Sequence, residues 1–225
     1  MTETARPGRV YGGRSAEGRD AERRGRLMAA GLEAFGTNGF QSTTIEQLCA
    51  AASVSTRSFY EIFASREALL IALHDEINAR ALAAIIERLA DVDRDDLHAR
   101  AVAAFTTYLD VITTDPRWVR ITLRETVGAS AATYTARREA LGRFATFLRG
   151  ELDRLGAAGV IPRRDHDLTS VAVVGGLTAL VESLLPPGEQ PHALSRKAVE
   201  RVREEGVRLI LSVSVDPAAE RSSRL

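Results

Sequence analysis

Apolar residues recur along this chain three and four positions apart, and no stretch sustains the alternation of a half-buried strand. Met28, Leu32 and Phe35 make the first stripe, in RDAERRGRLMAAGLEAFG; Gly36 and the Asn38-Gly39 pair predict its end. Ile45, Leu48 and Cys49 make a second, short stripe, and Phe59, Ile62 and Phe63 a third. Thr43 reads as the N-cap of the first short helix, with Glu46 completing a capping box. Ser53 and Val54 form the turn, Ser55 caps the second short helix, and Ser65 caps a long helix running to about Ala90. Residues 91–96 are a charged break. A helix over 97–113 then carries Val102, Phe105, Leu109 and Ile112 on one stripe. Asp115 and Pro116 open a helix reaching about Val127, and Gly128 ends it. Ser130 opens another, through Leu141, Phe144, Leu148 and Leu152, which Gly156 and Gly159 stop.

The last two helices differ in character. Residues 167–185 are apolar around most of the circumference, so that helix needs cover on nearly all sides. Pro186-Pro187-Gly188 is a loop, and a final helix runs from His192 or Ser195 to about Val213, with Val199, Val202, Val207, Leu209 and Ile210 apolar. Two such helices from each of two chains would make a four-helix homodimer interface, with burial within one chain as the alternative.

The segment TTIEQLCAAASVSTRSFYEIF, residues 43–63, holds the chemistry. Burying Phe59, Ile62 and Phe63 leaves Thr56, Arg57, Ser58, Tyr60 and Glu61 outward or at the margin, the form of a DNA-reading helix. The planar fork of Arg57 can pair with guanine O6 and N7, and Thr56, Ser58 and Tyr60 can meet phosphates or a thymine methyl. Arg66, at a helix start, is a candidate phosphate clamp. Glu61 repels phosphate but can accept from cytosine N4, which makes it a candidate specificity element.

The stretch AFGTNGFQSTTIEQLCAAASVSTRSFYEIFASREALL, Ala34 to Leu70, resembles the TetR family of bacterial transcriptional repressors. The resembling features are Gly39-Phe40, Thr43-Thr44-Ile45, the Val54-Ser55 turn, Phe59-Tyr60 with Phe63, and the run from Ser65 to Leu69. The remainder matches in length and helix pattern. The resemblance implies an all-α protein: a three-helix helix-turn-helix DNA-binding head and a larger C-terminal helical domain for ligand binding and dimerisation. It implies DNA contacts from Thr44, Ser55, Thr56, Arg57, Ser58, Tyr60 and Arg66. Glu61 and Ile62 depart from the pattern, since His or Tyr are common there. It also implies a homodimer on a palindromic double-stranded DNA operator, released by a small, mostly apolar inducer; activation by the same contacts is the alternative.

Composition sets the domain plan. The 225 residues divide into an arm (1–18), a head (19–66), a ligand-binding and dimerisation domain (67–214) and a tail (215–225). Charge balances overall, and residues 1–66 hold nine Arg against seven Asp plus Glu, a net of +2, so DNA binding would depend on placed contacts and doubling. Arg6, Arg9 and Arg14 in the arm could reach a minor groove. A single cysteine, Cys49, on the inward stripe excludes an intrachain disulfide and reads as core. His74, His98, His166 and His192 are scattered, and no metal, cofactor or catalytic pattern appears, so an enzyme is disfavoured. No apolar run reaches the roughly 18 residues of a membrane span and no signal peptide opens the chain, which predicts a cytoplasmic protein. Phe105, Tyr108, Trp118, Thr122, Glu125, Tyr134, Phe144 and Phe147 are candidates for the ligand pocket.

Overall fold

A computed structural model describes residues 16–185 and 194–212. Every regular element among them is helical: α1 (Ala16–Thr37), α2 (Ile45–Ala52), α3 (Thr56–Ile62), α4 (Arg66–Ala90), α5 (Leu97–Thr113), α6 (Pro116–Arg120), a π-helical turn (Ile121–Glu125), α7 (Ala131–Ala157), α8 (Asp167–Glu182) and α9 (Arg196–Ser212). The all-α expectation holds. The arm arginines, the Pro186-Pro187-Gly188 loop, His192 and the tail lie outside the described residues. No described helix is long and apolar enough to cross a membrane.

The capping chemistry is largely as expected, with one shift of register. Ser55, Ser65, Asp115 and Ser130 cap α3, α4, α6 and α7 through their side-chain oxygens. The cap of α2, however, is Thr44 with Gln47, not Thr43 with Glu46: Thr44 accepts from Gln47 N, and Gln47 Oε1 accepts from Thr44 N at 2.8 Å. Thr43 is instead buried, its hydroxyl donating to the Gly39 carbonyl at 2.9 Å. Helix α1 also continues one residue past Gly36, and the chain reverses at Gly39 in the left-handed region, φ +91°.

Two cores follow from the stripes. The first joins Leu27, Phe35, Leu48, Phe59 and Phe63 of the head to Leu69, Leu70, Leu73 and Ile77 of α4 and to Ile121 of the π-turn. Helix α4 begins at the boundary drawn at residue 66, and its first three turns nonetheless belong to the head's core. The second core packs Phe105, Leu109 and Ile112 of α5 with Val173 and Val181 of α8 and Val202 and Ile210 of α9.

Helix α9 approaches α5 so closely that a Cβ on Gly206 would sit 2.0 Å from the ring of Phe105, itself buried. Gly206→Ala is expected to overpack the body and destabilise it by about 1–3 kcal/mol. Gly25, exposed in α1 with nothing near its Cβ position, should behave oppositely, Gly25→Ala adding up to about 1 kcal/mol through helix propensity. Urea denaturation of the two variants measures both signs.

Candidate nucleic-acid interface and ligand cavity

Helix α3 is held from beneath and at its start. Phe59 is fully buried, touching Phe63 at a ring separation of 6.0 Å, while the guanidinium of Arg24 in α1 lies 4.7 Å above the Phe63 ring. Ser55 Oγ accepts from Ser58 N at 3.1 Å and donates to Ser58 Oγ at 3.0 Å. With that face fixed, Thr56, Arg57, Tyr60 and Glu61 are exposed, Ser58 is half-buried, and Thr44 is exposed at the start of α2. Tyr60 is 55 % exposed, a large amphipathic ring left in solvent beside a polar patch.

Two charged members of this surface are already engaged. Arg57, its side chain 90 % exposed, donates through Nε to Glu61 Oε1 at 3.1 Å, one helical turn on. Such a pair is worth only a few tenths of a kcal/mol in water. It restrains the guanidinium without removing it from a partner's reach. Arg66 is turned inward: it donates to the Thr43 carbonyl and lies 4.2 Å over the Phe40 ring. That arrangement ties the start of α4 to the loop before α2 and commits part of the guanidinium within the head. Cys49 lies under this surface, and burial pushes its thiol up, away from a reactive thiolate.

The head is joined to the body by a buried ion pair. Arg120 Nε donates to Glu125 Oε1 at 2.6 Å, and both side chains are only 10 % exposed. Arg120 Nη1 also donates to the Thr37 carbonyl at 2.8 Å, and Glu125 Oε2 accepts from Phe40 N at 2.6 Å. The pair thus satisfies both sides of the α1–α2 loop. The absence of a Cβ at Gly39 is what lets Arg120 in, since one there would stand 2.8 Å from Arg120 Nη2. Glu125, expected in the pocket, is placed at this junction instead. Trp118 lies in a groove against α1 and α4, with Arg24, Leu32 and Glu76, under the Arg80 guanidinium at 5.7 Å. Tyr134 is 59 % exposed on α7.

The remaining pocket candidates come together. Phe105, Tyr108, Thr122, Phe144 and Phe147 line one cavity of about 100 Å³ between α4, α5, α7 and α8. Its wall also contains residues that the pattern did not mark, chiefly His74, Asn78 and Arg137. Periodicity could have placed His74 and Asn78 on one face of α4, four residues apart, but could not say that the face lines a cavity. The stacked pair Phe105–Tyr108 and the edge-on pair Tyr108–Phe144 set one wall. Burial pushes the Tyr108 phenol up to about 12, so it stays neutral. His74 Nδ1 has no hydrogen-bond partner, the nearest carboxylate, Asp75, being 3.6 Å away. Among the described residues no cluster of His, Cys, Asp and Glu could hold a metal ion.

The chain matches the family model "Bacterial regulatory proteins, tetR family" over residues 27–73. The HTH-type transcriptional regulator UidR of Escherichia coli K12 is 30 % identical over 83 residues, 37 % of this chain. That match spans 42 % of UidR's length. The fold is shared with the transcriptional regulator FadR of Bacillus subtilis in complex with stearoyl-CoA: TM-score 0.70, 15 % identity, 83 % of this chain and 97 % of that one. It is shared also with AibR in complex with isovaleryl coenzyme A and operator DNA: TM-score 0.58, 16 % identity, 82 % and 96 % covered.

Burial holds His74 below its ordinary value of 6.5, against the opposing pull of Asp75 and with the help of Arg137 and Arg143. The unfolded chain therefore takes up this proton first. Its share of stability is full above pH 6.5 and falls as pH drops below that value. Urea melts of the wild type and His74→Asn between neutral and mildly acid pH should converge as pH falls, the wild type losing more.

Proposed function

We propose that this chain, which belongs to the TetR family of bacterial regulatory proteins, is a ligand-responsive transcriptional repressor. It binds a palindromic operator as a homodimer and lets go when a small, mostly apolar molecule enters the body. The observation that carries the reading is α3: its apolar face is locked into the head, and Thr56, Arg57, Ser58 and Tyr60 stand on the other side. Thr44 and the cap at Ser55 border this surface and complete the phosphate-facing set.

Two further features support the rest of the reading. Leu168, Val171, Ala172, Gly175 and Ala179 are exposed along one stripe of α8, with Leu168 83 % exposed. An apolar stripe of that kind calls for cover, and a second α8 of identical shape supplies it while pairing two heads for an inverted repeat. The apolar cavity supports a ligand, and two solved proteins of the same fold are in complex with stearoyl-CoA and with isovaleryl coenzyme A.

Coupling runs through the π-turn. Thr122 and Leu123 line the cavity, while Arg120 and Glu125, flanking them, hold the α1–α2 loop. A ligand that favours another setting of Thr122 and Leu123 shifts the population of head positions, by the difference in its affinity for the two states. π-Turns break helical register and recur at functional sites for that reason.

Selection of bound duplexes from a random library by the purified protein tests the reading. The expected product is an inverted repeat with a steep salt slope. No enrichment, with only weak salt-sensitive binding, would overturn it. On the selected duplex, Arg57→Ala should lose about 1–3 kcal/mol at one base pair and relax the preference there. Glu125→Ala leaves Arg120 buried without its carboxylate, and is expected to destabilise the fold by on the order of 3 kcal/mol. It should also shrink the ligand's effect on operator affinity, seen by fluorescence anisotropy with and without ligand.

A further inference from the structure

Arg57 and Glu61 pair across one turn of α3, yet the pair does little for the helix that carries it. Arg57 sits in the first turn of this seven-residue helix and Glu61 in the last, so each charge faces the like-signed end of the macrodipole. Basic before acidic at i, i+4 is also the weaker order for helix support. Both side chains are exposed, at 90 % and 52 %, where an ion pair adds little to stability. The contact itself is one-sided. Glu61 Oε1 accepts from Arg57 Nε at 3.1 Å, and Nη1 and Nη2 have no partner among the described residues. Those two nitrogens form the end of the guanidinium fork, the part that guanine O6 and N7 accept from. Beside Glu61, Asp20, Arg23 and Arg24 of α1 line the same groove, two arginines against two carboxylates, so its charge is balanced locally.

Resting on the regulator reading, we propose that Glu61 is a positioning residue for base recognition: it holds Arg57 by Nε and aims the free Nη fork at a guanine in the major groove. An exposed arginine without such a restraint samples many rotamers and gives up that freedom on binding. Setting the fork beforehand lowers the cost, and the gain falls to guanine, because no other base offers two acceptors side by side on its major-groove edge. The pair is weak in water but strengthens as the groove excludes solvent, since the local dielectric falls. The same carboxylate repels phosphates wherever the fork finds no guanine, which weakens binding to unrelated sequence. Glu61 thus sharpens the preference without touching a base. Direct acceptance from cytosine N4, the role its residue type suggests, is the rival, and it requires a carboxylate that reads by itself rather than through Arg57.

Fluorescence anisotropy of the full-length protein tests the assignment on three labelled duplexes. They are the selected operator, the operator changed at the base pair where Arg57→Ala relaxes the preference, and an unrelated sequence. Glu61→Ala is expected to cut the discrimination at that base pair by about fivefold or more, and to bind the unrelated duplex more tightly than the wild type does. Glu61→Gln keeps an acceptor for Nε without the charge, so it should retain most of the discrimination while still binding the unrelated duplex more tightly. In an Arg57→Ala background, Glu61→Ala should leave the discrimination unchanged. The exposed position keeps the fold out of the comparison, and thermal melts of the variants check that. Discrimination that survives Glu61→Ala would mean that Arg57 leaves Glu61 on binding, and would overturn the proposal. A loss that persists in the Arg57→Ala background, or that falls on a base pair Arg57→Ala does not touch, would overturn it in favour of direct reading by Glu61. Each of those results leaves the regulator reading standing, whereas a wild type that selects no duplex sinks both.

Discussion

The buried pair Arg120–Glu125 is the constraint on which the arrangement of head and body depends. Neither charge could be left at 10 % exposure without a partner, because desolvation of a lone ion outweighs the other contacts it could make. Each completes its hydrogen bonds on the backbone of the α1–α2 loop, at Thr37 and Phe40, more than 80 residues away in sequence. The loop that positions α2 is therefore seated on the residues flanking Thr122 and Leu123, which line the apolar cavity. Shared core residues reinforce the same join: Ile121 of the π-turn packs with Leu69, Leu70 and Leu73 among the head's apolar side chains.

The exposed face of α3 shows how little free energy is spent on its charges. Arg57 and Glu61 form an exposed pair that solvent and salt screen, so the guanidinium can exchange its partner at small cost. Rigidity comes from elsewhere, from Phe59 at full burial and from the Ser55 cap. The division has a physical logic: apolar packing fixes the helix, and weakly held polar groups remain on its exposed face. Arg66 illustrates the opposite choice, with its guanidinium over Phe40 and its hydrogen bond to Thr43 serving the head's own structure.

Much of this was legible in the order of residues. Helical spacing, cap residues and glycine stops marked the helices, since they report local backbone chemistry that tertiary packing here did not overrule. The polar face of α3 followed from the burial of Phe59, Ile62 and Phe63 on the other side. The capping register of α2 was not legible, because Thr43-x-x-Glu46 and Thr44-x-x-Gln47 both satisfy the same motif. Burial of Thr43 against the Gly39 carbonyl decided between them.

The pocket divided in the same way. Phe105, Tyr108, Phe144 and Phe147 belong to the regular helices α5 and α7, and all four line one cavity in the folded chain. Trp118, Thr122 and Glu125 stand at i, i+4 and i+7, which on an unbroken α-helix is one face. The π-turn breaks that face, leaving Thr122 in the cavity while Trp118 and Glu125 go to the head. Local sequence thus determined the helices, their caps and the outward face of α3, because those depend on neighbours within one or two turns. Which of two tandem caps is used, where Glu125 points, and that His74 and Arg137 border a cavity were decided only in the folded chain. The choice of cap rests on the burial of Thr43 in the head, and the others on contacts between residues far apart in sequence and on a change of helical register that hydrophobic spacing does not record.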